Sequence, residues 1–237
     1  MPTETKAIDS ISFTTSNSIE PFFFADKNSG IQYDLLLSAL SLKQIDLQHI
    51  IFAPNLRALR LVKNKKVDCI INAPANSKGL HLTQSLISYQ NSVFHLASRQ
   101  LQIGTIEDLK GYSLLGFQNA KKFLGSEFEN MVSQHPNYDE LSNQKSQVVM
   151  LFNGHVDAIV MEEKIFKYYR EQLVNLIDTK QVVEQNNLFA PAPRYIACHD
   201  KQVAQLVDEA ITLLKPLERY QHIQQANYAT ANDKEIE

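Results

Sequence analysis

The sequence predicts an α/β protein built from two similar lobes. Three observations predict it. Short apolar runs of strand length alternate with stretches of helical periodicity along the chain. One run, Val67 to Asn72, is almost continuously apolar, as expected of a strand buried in a parallel sheet. Finally, a helix-turn-strand unit occurs twice: Leu61-Val62-Lys63-Asn64-Lys65-Lys66-Val67-Asp68-Cys69-Ile70-Ile71 resembles Met150-Leu151-Phe152-Asn153-Gly154-His155-Val156-Asp157-Ala158-Ile159-Val160. In both copies a helix ends at an Asn (followed by Gly in the second) able to take a left-handed C-cap. A Val-Asp pair then leads into a buried strand.

Taken in order, Ser10 to Thr15 reads as a strand, followed by a polar turn and the aromatic run Pro21-Phe22-Phe23-Phe24. Asp26 to Gly30 is turn chemistry. Asp34 is expected to cap a helix from Leu35 to Leu42, its carboxylate accepting from first-turn amides. Ile50 to Ala53 reads as a strand, Leu56 to Asn64 as a helix, and Ser92 to Ser98 as a strand that closes the first half. Thr105-Ile106-Glu107-Asp108 opens a one-turn helix that stops near Gly111. Tyr112 to Phe117 is a strand and Lys121 to Ser133 an amphipathic helix. Gln147 to Phe152, Val156 to Met161 and Glu163 to Gln172 read as helix, strand and helix. Arg194 to His199 is a late strand, and apolar spacing predicts one long helix from Val203 to Tyr220. Thr230 to Glu237 has the composition of a frayed tail.

With 237 residues, 44% hydrophobic and 21% charged, the chain is long enough to bury a real core. Its net charge of −3 supplies no basic field for nucleic acid, and Lys63, Lys65 and Lys66 read as a solvated helix end. Two cysteines make neither a disulfide scaffold nor a zinc site of their own; Cys69 reads as a small buried hydrophobe, and pairing with Cys198 stays open. No stretch approaches the ~20 apolar residues that span a bilayer, so the protein is not expected to be membrane-inserted. Met1 to Ser10 lacks an apolar signal core, which fits either a cytoplasmic chain or a mature form given a new start methionine.

Catalytic signatures are absent: no phosphate-cradling Gly-Lys-Ser/Thr loop, no dinucleotide glycine fingerprint, no Gly-x-Ser-x-Gly elbow and no His-Glu-x-x-His. The seven histidines are scattered without ligand spacing. Neither a metal, a cofactor nor an enzymatic activity is therefore expected. Ligands of open α/β sheets sit beyond the carboxyl ends of the strands. That rule nominates Phe22 and Phe24 after the first strand, and Asn55 with Arg57 after the second. The Val67 to Asn72 strand nominates Asn72 and Ala73. In the second half it nominates Gln118, Asn119 and Lys121, where helix N–H groups can take an anionic ligand group, and Glu162 at the exit of the echoed strand. Glu163 cannot share a helix face with its neighbour, so only Glu162 is placed to face a ligand.

At these residues the sequence resembles the extracellular solute-binding family 3, the polar amino acid receptors of ABC transporters, over roughly Ile11 to Tyr220. Pro21-Phe22-Phe23-Phe24 is similar to the family's Pro-Phe-x-Phe, and Gly30-Ile31-Gln32-Tyr33-Asp34-Leu35 to its Gly-Phe-x-x-Asp-Leu. Arg57-Ala58-Leu59 is similar to its Arg-Ala-Leu helix start, and Val67-Asp68-Cys69-Ile70 to its Val-Asp-Ala-Ile. Ile106-Glu107-Asp108-Leu109-Lys110-Gly111 and Asn153-Gly154-His155-Val156-Asp157-Ala158 resemble its second-lobe motifs, and all stand in the family's order.

The resemblance implies two α/β lobes joined by two crossing strands, of the type II periplasmic binding protein kind. Lobe one would be residues 1–97 with 193–237 returning to it, and lobe two 98–192, with crossings near Ala97 to Leu101 and Pro191 to Ile196. It also implies a periplasmic monomer that encloses a small polar or zwitterionic molecule between the lobes for a transporter permease, or for a signalling partner if it is a sensor; a few members of this kind have become enzymes, and for that alternative Glu162 is the one obvious acid/base candidate. Where family members that take amino acids usually carry Thr-Pro-Glu-Arg, whose Arg clamps the α-carboxylate, this chain has Ala75-Asn76-Ser77-Lys78-Gly79. Ser77 and Lys78 are the candidates there, but an ammonium is a point charge and not a bidentate fork. Gln118-Asn119-Ala120-Lys121 replaces the family's Gly-Ser/Thr anion loop, and Glu162 stands for its ammonium-binding Asp.

Overall fold

The computed structural model describes residues 8–15, 19–24, 26–73, 75 and 77–229; the tail expected from Thr230 lies outside them, as does Asn76. The described chain divides into two compact units. The first runs to Ser88 and resumes over Pro193–Ala226; the second holds Tyr89–Ala192 and the described residues from Asn227.

In the first unit β1 (Ser10–Thr15), α1 (Ile31–Leu42), β2 (Asp46–Phe52), α2 (Asn55–Lys63), β3 (Cys69–Ala73) and β4 (His81–Tyr89) follow one another. The second unit supplies β5 (Asn91–Leu96), β6 (Leu114–Phe117), α3 (Ala120–Phe123), α4 (Ser126–Val132), β7 (Tyr138–Leu141), α5 (Gln144–Phe152), β8 (Ala158–Glu162), α6 (Glu163–Gln172) and β9 (Val183–Asn186). The chain then leads back through β10 (Ala192–Cys198), α7 (Lys201–Leu214) and α8 (Glu218–Gln225).

The two sheets share one plan. The first is ordered β2-β1-β3-β10-β4 and the second β7-β6-β8-β5-β9. Three parallel strands lead in each, and the fourth runs antiparallel to the third: β10 beside β3 and β5 beside β8. The echo seen in the sequence is thus one part of a larger structural repeat. At its turns the helices close with the same pair of backbone bonds: Lys65 N–H to Val62 O (2.9 Å) with Lys66 N–H to Leu61 O (2.9 Å), and Gly154 N–H to Leu151 O (3.0 Å) with His155 N–H to Met150 O (2.9 Å). The left-handed residue is the one after the expected Asn: Lys65 at φ 54 and Gly154 at φ 69.

The paired Asp residues explain why the echo persists. Asp68 Oδ2 accepts from Ser12 N–H (2.8 Å) and Oγ (2.6 Å), while Asp68 N–H donates back to Ser12 Oγ at 3.0 Å. Asp157 repeats this with Ser113, at 2.9, 2.7 and 2.9 Å. Each clamp ties the amino end of the central parallel strand to that of its neighbour. Those ends lie opposite the edge where a ligand is expected, so the Val-Asp pair is a stability device.

Several expectations change. Asp34 is not a cap: α1 starts at Ile31, because Ile31 and Gln32 donate to the Pro21 and Phe22 carbonyls, each at 3.0 Å. Gly30 permits that approach, at φ 123 with an added Cβ only 2.5 Å from Phe22 O. The Lys121 to Ser133 helix is two, broken at Gly125 (φ 95). The long terminal helix is also two, because Pro216 after Leu214 cannot donate into the helix ladder. The strand expected over Ser92 to Ser98 ends at Leu96 and belongs to the second sheet, so the chain passes between units at Ser88–Tyr89 and not near Ala97. The described residues after Ala226 leave the first unit as well: Gln172 Nε2 donates to Ala229 O at 2.7 Å. Finally, Cys69 and Cys198 are disulfide-bonded across β3 and β10.

Candidate functional site

In the first unit β2 runs out through Ala53 and Pro54 into α2, whose first turn holds Asn55 and Arg57 exposed to solvent, with Leu56 between them 73% exposed. β3 runs out through Asn72, held at φ 60, and the buried Ala73. The Asn72 side chain is not idle: Gln32 Nε2 donates to its Oδ1 at 2.9 Å, and its Nδ2 donates back to Gln32 Oε1 at 3.2 Å. Gln32 is fully buried, so this pair fixes the end of β3 against α1. Ser77 is half-buried and Lys78 exposed, on a turn where Leu80 N–H donates to Ser77 O at 3.2 Å.

Phe22 and Phe24 stand apart from the other candidates. Both are buried in the hydrophobic core, at 0% and 8% exposure. Their backbone serves α1 and the turn before it, Phe24 N–H donating to Ser29 O at 3.0 Å. Thr15 at the end of β1 was not singled out from the sequence. It is 1% exposed, and its Oγ1 has no hydrogen-bond partner among the described residues.

In the second unit β6 ends at Phe117, and Gln118, Asn119 and Lys121 follow on the surface. Asn119 takes φ 64 to turn the chain into α3. The amides expected to receive an anionic ligand group are already occupied by the Glu140 carboxylate. Asn119 N–H donates to Oε2 at 2.6 Å and Lys121 N–H to Oε1 at 3.0 Å. Tyr138 Oη donates to the same Oε1 at 2.8 Å. Gly116 makes the reach possible, since a Cβ there would lie 2.7 Å from Tyr138 Oη. Burial first, then the Glu140 carboxylate, push the Tyr138 phenol upward, so it stays a donor. Beneath this turn the buried Gln147 donates Nε2 to Gly116 O and Leu141 O, both at 3.1 Å, which locks the exits of β6 and β7 together.

Glu162 closes β8 and caps α6. Its Oε2 accepts from Lys164 N–H (2.7 Å) and Ile165 N–H (3.0 Å), and Oε1 from Gln90 N–H at 3.4 Å. It is 4% exposed; burial pushes its carboxyl up to about 7, against the lowering effect of those amides. Its neighbour Glu163 is drawn into a polar cluster, where Ser92 Oγ donates to Glu163 Oε1 at 3.0 Å and Gln185 Nε2 donates to the same oxygen. Glu140, Tyr138, Gln147, Gln32 and Thr15 carry the geometry of the two edges, yet no sequence spacing marks them. Glu140 sits in an edge strand whose Tyr-Asp-Glu-Leu run shows only that it is polar.

Among the described residues no group of His, Cys, Asp and Glu is arranged to hold a metal ion, and no helix is long and apolar enough to cross a membrane. No known family model matches the chain, and no curated protein matches it by sequence. Solved structures do match it by fold. An ancestral arginine-binding protein bound to glutamine is 17% identical, with 93% of this chain and 98% of that one covered at a TM-score of 0.65. A substrate-binding protein of an ABC uptake transporter from Streptococcus pneumoniae with bound histidine is 16% identical, covering 92% and 91% at 0.65. A histidine kinase sensor domain with similarity to periplasmic binding proteins is 14% identical, covering 91% and 94% at 0.69. The chain has the fold of periplasmic solute-binding proteins.

Proposed function

We propose that this chain is a binding protein that closes its two units on a small polar molecule and passes it on unchanged, as the receptor of an ABC-type transporter. The observation that carries the proposal is the shared fold, combined with polar residues at the carboxyl edges of both sheets. Asn55, Arg57 and Lys78 lie open at the first edge, and Gln118, Asn119 and Lys121 at the second. Asn72 and Ala73 end β3 at the first edge, with Ser77 after them, and Glu162 ends β8 at the second; these are the remaining candidates. Hinge closure needs only contacts that are better in the closed state than in the open one. A periplasmic setting is supported by the Cys69–Cys198 bond, since disulfides persist in oxidising compartments.

Thermal-shift screening against a library of small polar metabolites tests this, because a ligand that binds only the folded state raises its stability. A saturable rise in Tm for one chemical class is the expected result. No shift from any compound, together with unchanged compounds and protein in every mixture, overturns the proposal.

The sensor domain at TM-score 0.69 favours a second reading, in which the same module reports its ligand to a signalling partner. A membrane segment and a kinase or cyclase domain encoded after Glu237 would select that reading. A neighbouring permease gene would select the first.

A further inference from the structure

We infer that the outer face of α2 is a docking face for an anionic lipid surface, on which the first unit rests without spanning it. The segment from Asn55 to Lys66 holds five cations, Arg57, Arg60, Lys63, Lys65 and Lys66, and no acid. All five are exposed, and none forms an ion pair among the described residues. The next acid along the chain, Asp68, is engaged by Ser12 and His199. The whole chain carries −3, so the residues outside this segment sum to −8. An anionic surface therefore attracts this face and repels the remainder, which orients the molecule as it approaches.

The structural repeat shows that the fold does not require these charges. In the second unit α5 takes the place that α2 has in the first. Val149 stands where Arg60 does, Phe152 where Lys63 does, and Gly154 and His155 where Lys65 and Lys66 do. There the helix is covered by α6: Phe152 is buried and stacks on Phe166, ring centroids 6.4 Å apart. In the first unit no helix lies between β3 and β4 among the described residues, and α2 packs on β1 and β3 with its other side exposed. Filling that side with like charges has a cost. Arg57 and Arg60, and Arg60 and Lys63, are three residues apart and repel one another on the helix surface. Lys65 adds a left-handed backbone at φ 54. A local rule broken without compensation inside the chain points to a partner outside it.

Leu56 selects the kind of partner. Its spacing from Arg60 and Lys63, i, i+4 and i+7, places it in the same outer stripe, and it is 73% exposed. An apolar side chain beside a cluster of cations suits the boundary between headgroups and acyl chains, where the cations meet phosphates and the leucine leaves water. A polyanion such as nucleic acid would use the charges and leave Leu56 in water.

The test sediments the full chain with vesicles of phosphatidylcholine, with or without phosphatidylglycerol. Wild type should sediment only with the vesicles that contain phosphatidylglycerol, and raised salt should release it. Arg60→Gln/Lys63→Gln/Lys66→Gln should bind them at least about tenfold more weakly. Lys122→Gln/Lys145→Gln/Lys167→Gln removes as many exposed cations from the second unit and should bind like the wild type. Leu56→Ser keeps every charge and should lose about threefold. Arg57, a ligand candidate, stays intact in every variant, and thermal midpoints near that of the wild type show that each one folds. Wild type left in the supernatant with both vesicle types overturns the inference, as it would if the face took an acidic protein instead. Equal losses in the two triple variants overturn it too, since net charge alone would then be responsible. Unchanged binding of Leu56→Ser overturns the lipid assignment in favour of a face for polyanions at large. None of these outcomes bears on whether the protein binds a small polar molecule.

Discussion

At the scale of single residues, charge is handled by backbone amides more than by ion pairs. Glu162 is the clearest case. Its carboxyl is raised to about 7, so between the unfolded value near ~4.3 and that point the folded chain holds a proton the unfolded one has lost. Stability from this group is therefore present at low pH and falls as pH rises through the window. Against Glu162→Gln, the wild type should lose Tm steadily from about pH 5 to about pH 7, and the two curves should run parallel above about pH 8.

Asp157 behaves in the opposite way. Burial pushes its carboxyl up, but the Ser113 hydroxyl and amide and the Arg99 guanidinium together hold it below the usual range. Its contribution is present at neutral pH and is lost as pH falls through that lowered value. Asp157→Asn should cost about 1–3 kcal/mol in urea unfolding near neutral pH, with a smaller loss in acid.

At the scale of elements, the two copies of the helix-turn-strand unit form a natural experiment. Both chains must take a left-handed residue to leave the helix, and only the second copy uses glycine for it. Lys65 bears the cost of a Cβ crowding the carbonyl. Lys65→Gly should raise stability by about 0.5–1 kcal/mol, the gain being limited by the extra freedom glycine has when unfolded. The converse change, Gly154→Ala, should lose about 1 kcal/mol; its new Cβ would also lie 3.0 Å from Arg99 Nη2. Midpoints of urea unfolding with unchanged slopes would check both.

At the scale of the whole molecule, one covalent bond spans most of the chain. Cys69 and Cys198 are 129 residues apart, and all of Tyr89–Ala192 lies between them. Closing so long a loop restricts the unfolded chain strongly. Replacing both cysteines by serine, or adding reductant, should cost about 2–5 kcal/mol, read as a lower thermal midpoint. The same bond fastens β10 beside β3, so the returning segment is pinned where the first sheet needs its fourth strand.

Local pattern determined a good deal by itself. Strand β1, helix α6 and the apolar runs of β3 and β8 were legible because burial imposes a period that neighbours in the chain can display. The repeat was legible as well, through one Val-Asp pair. Edge strands β7 and β9 were not, since Tyr-Asp-Glu-Leu and Val-Glu-Gln-Asn carry little apolar signal and become strands only beside a partner. Breaks inside α3–α4 and α7–α8 were hidden by apolar spacing that continues across them, although Gly125 and Pro216 were in view.

The candidate edges divide the same way. Sequence placed Asn55, Arg57, Asn72, Asn119 and Glu162 at strand exits, because a strand's end is a local property. It did not show that Asn72 is paired with Gln32, that Glu162 caps its own helix, or that Glu140 fills the turn at Asn119. The partners of Asn72 and Asn119 lie far along the chain, where only tertiary packing decides which donor reaches which acceptor; the Glu162 cap is local, but a strand-end carboxylate can equally face outward, and burial decides that it turns back onto its own helix.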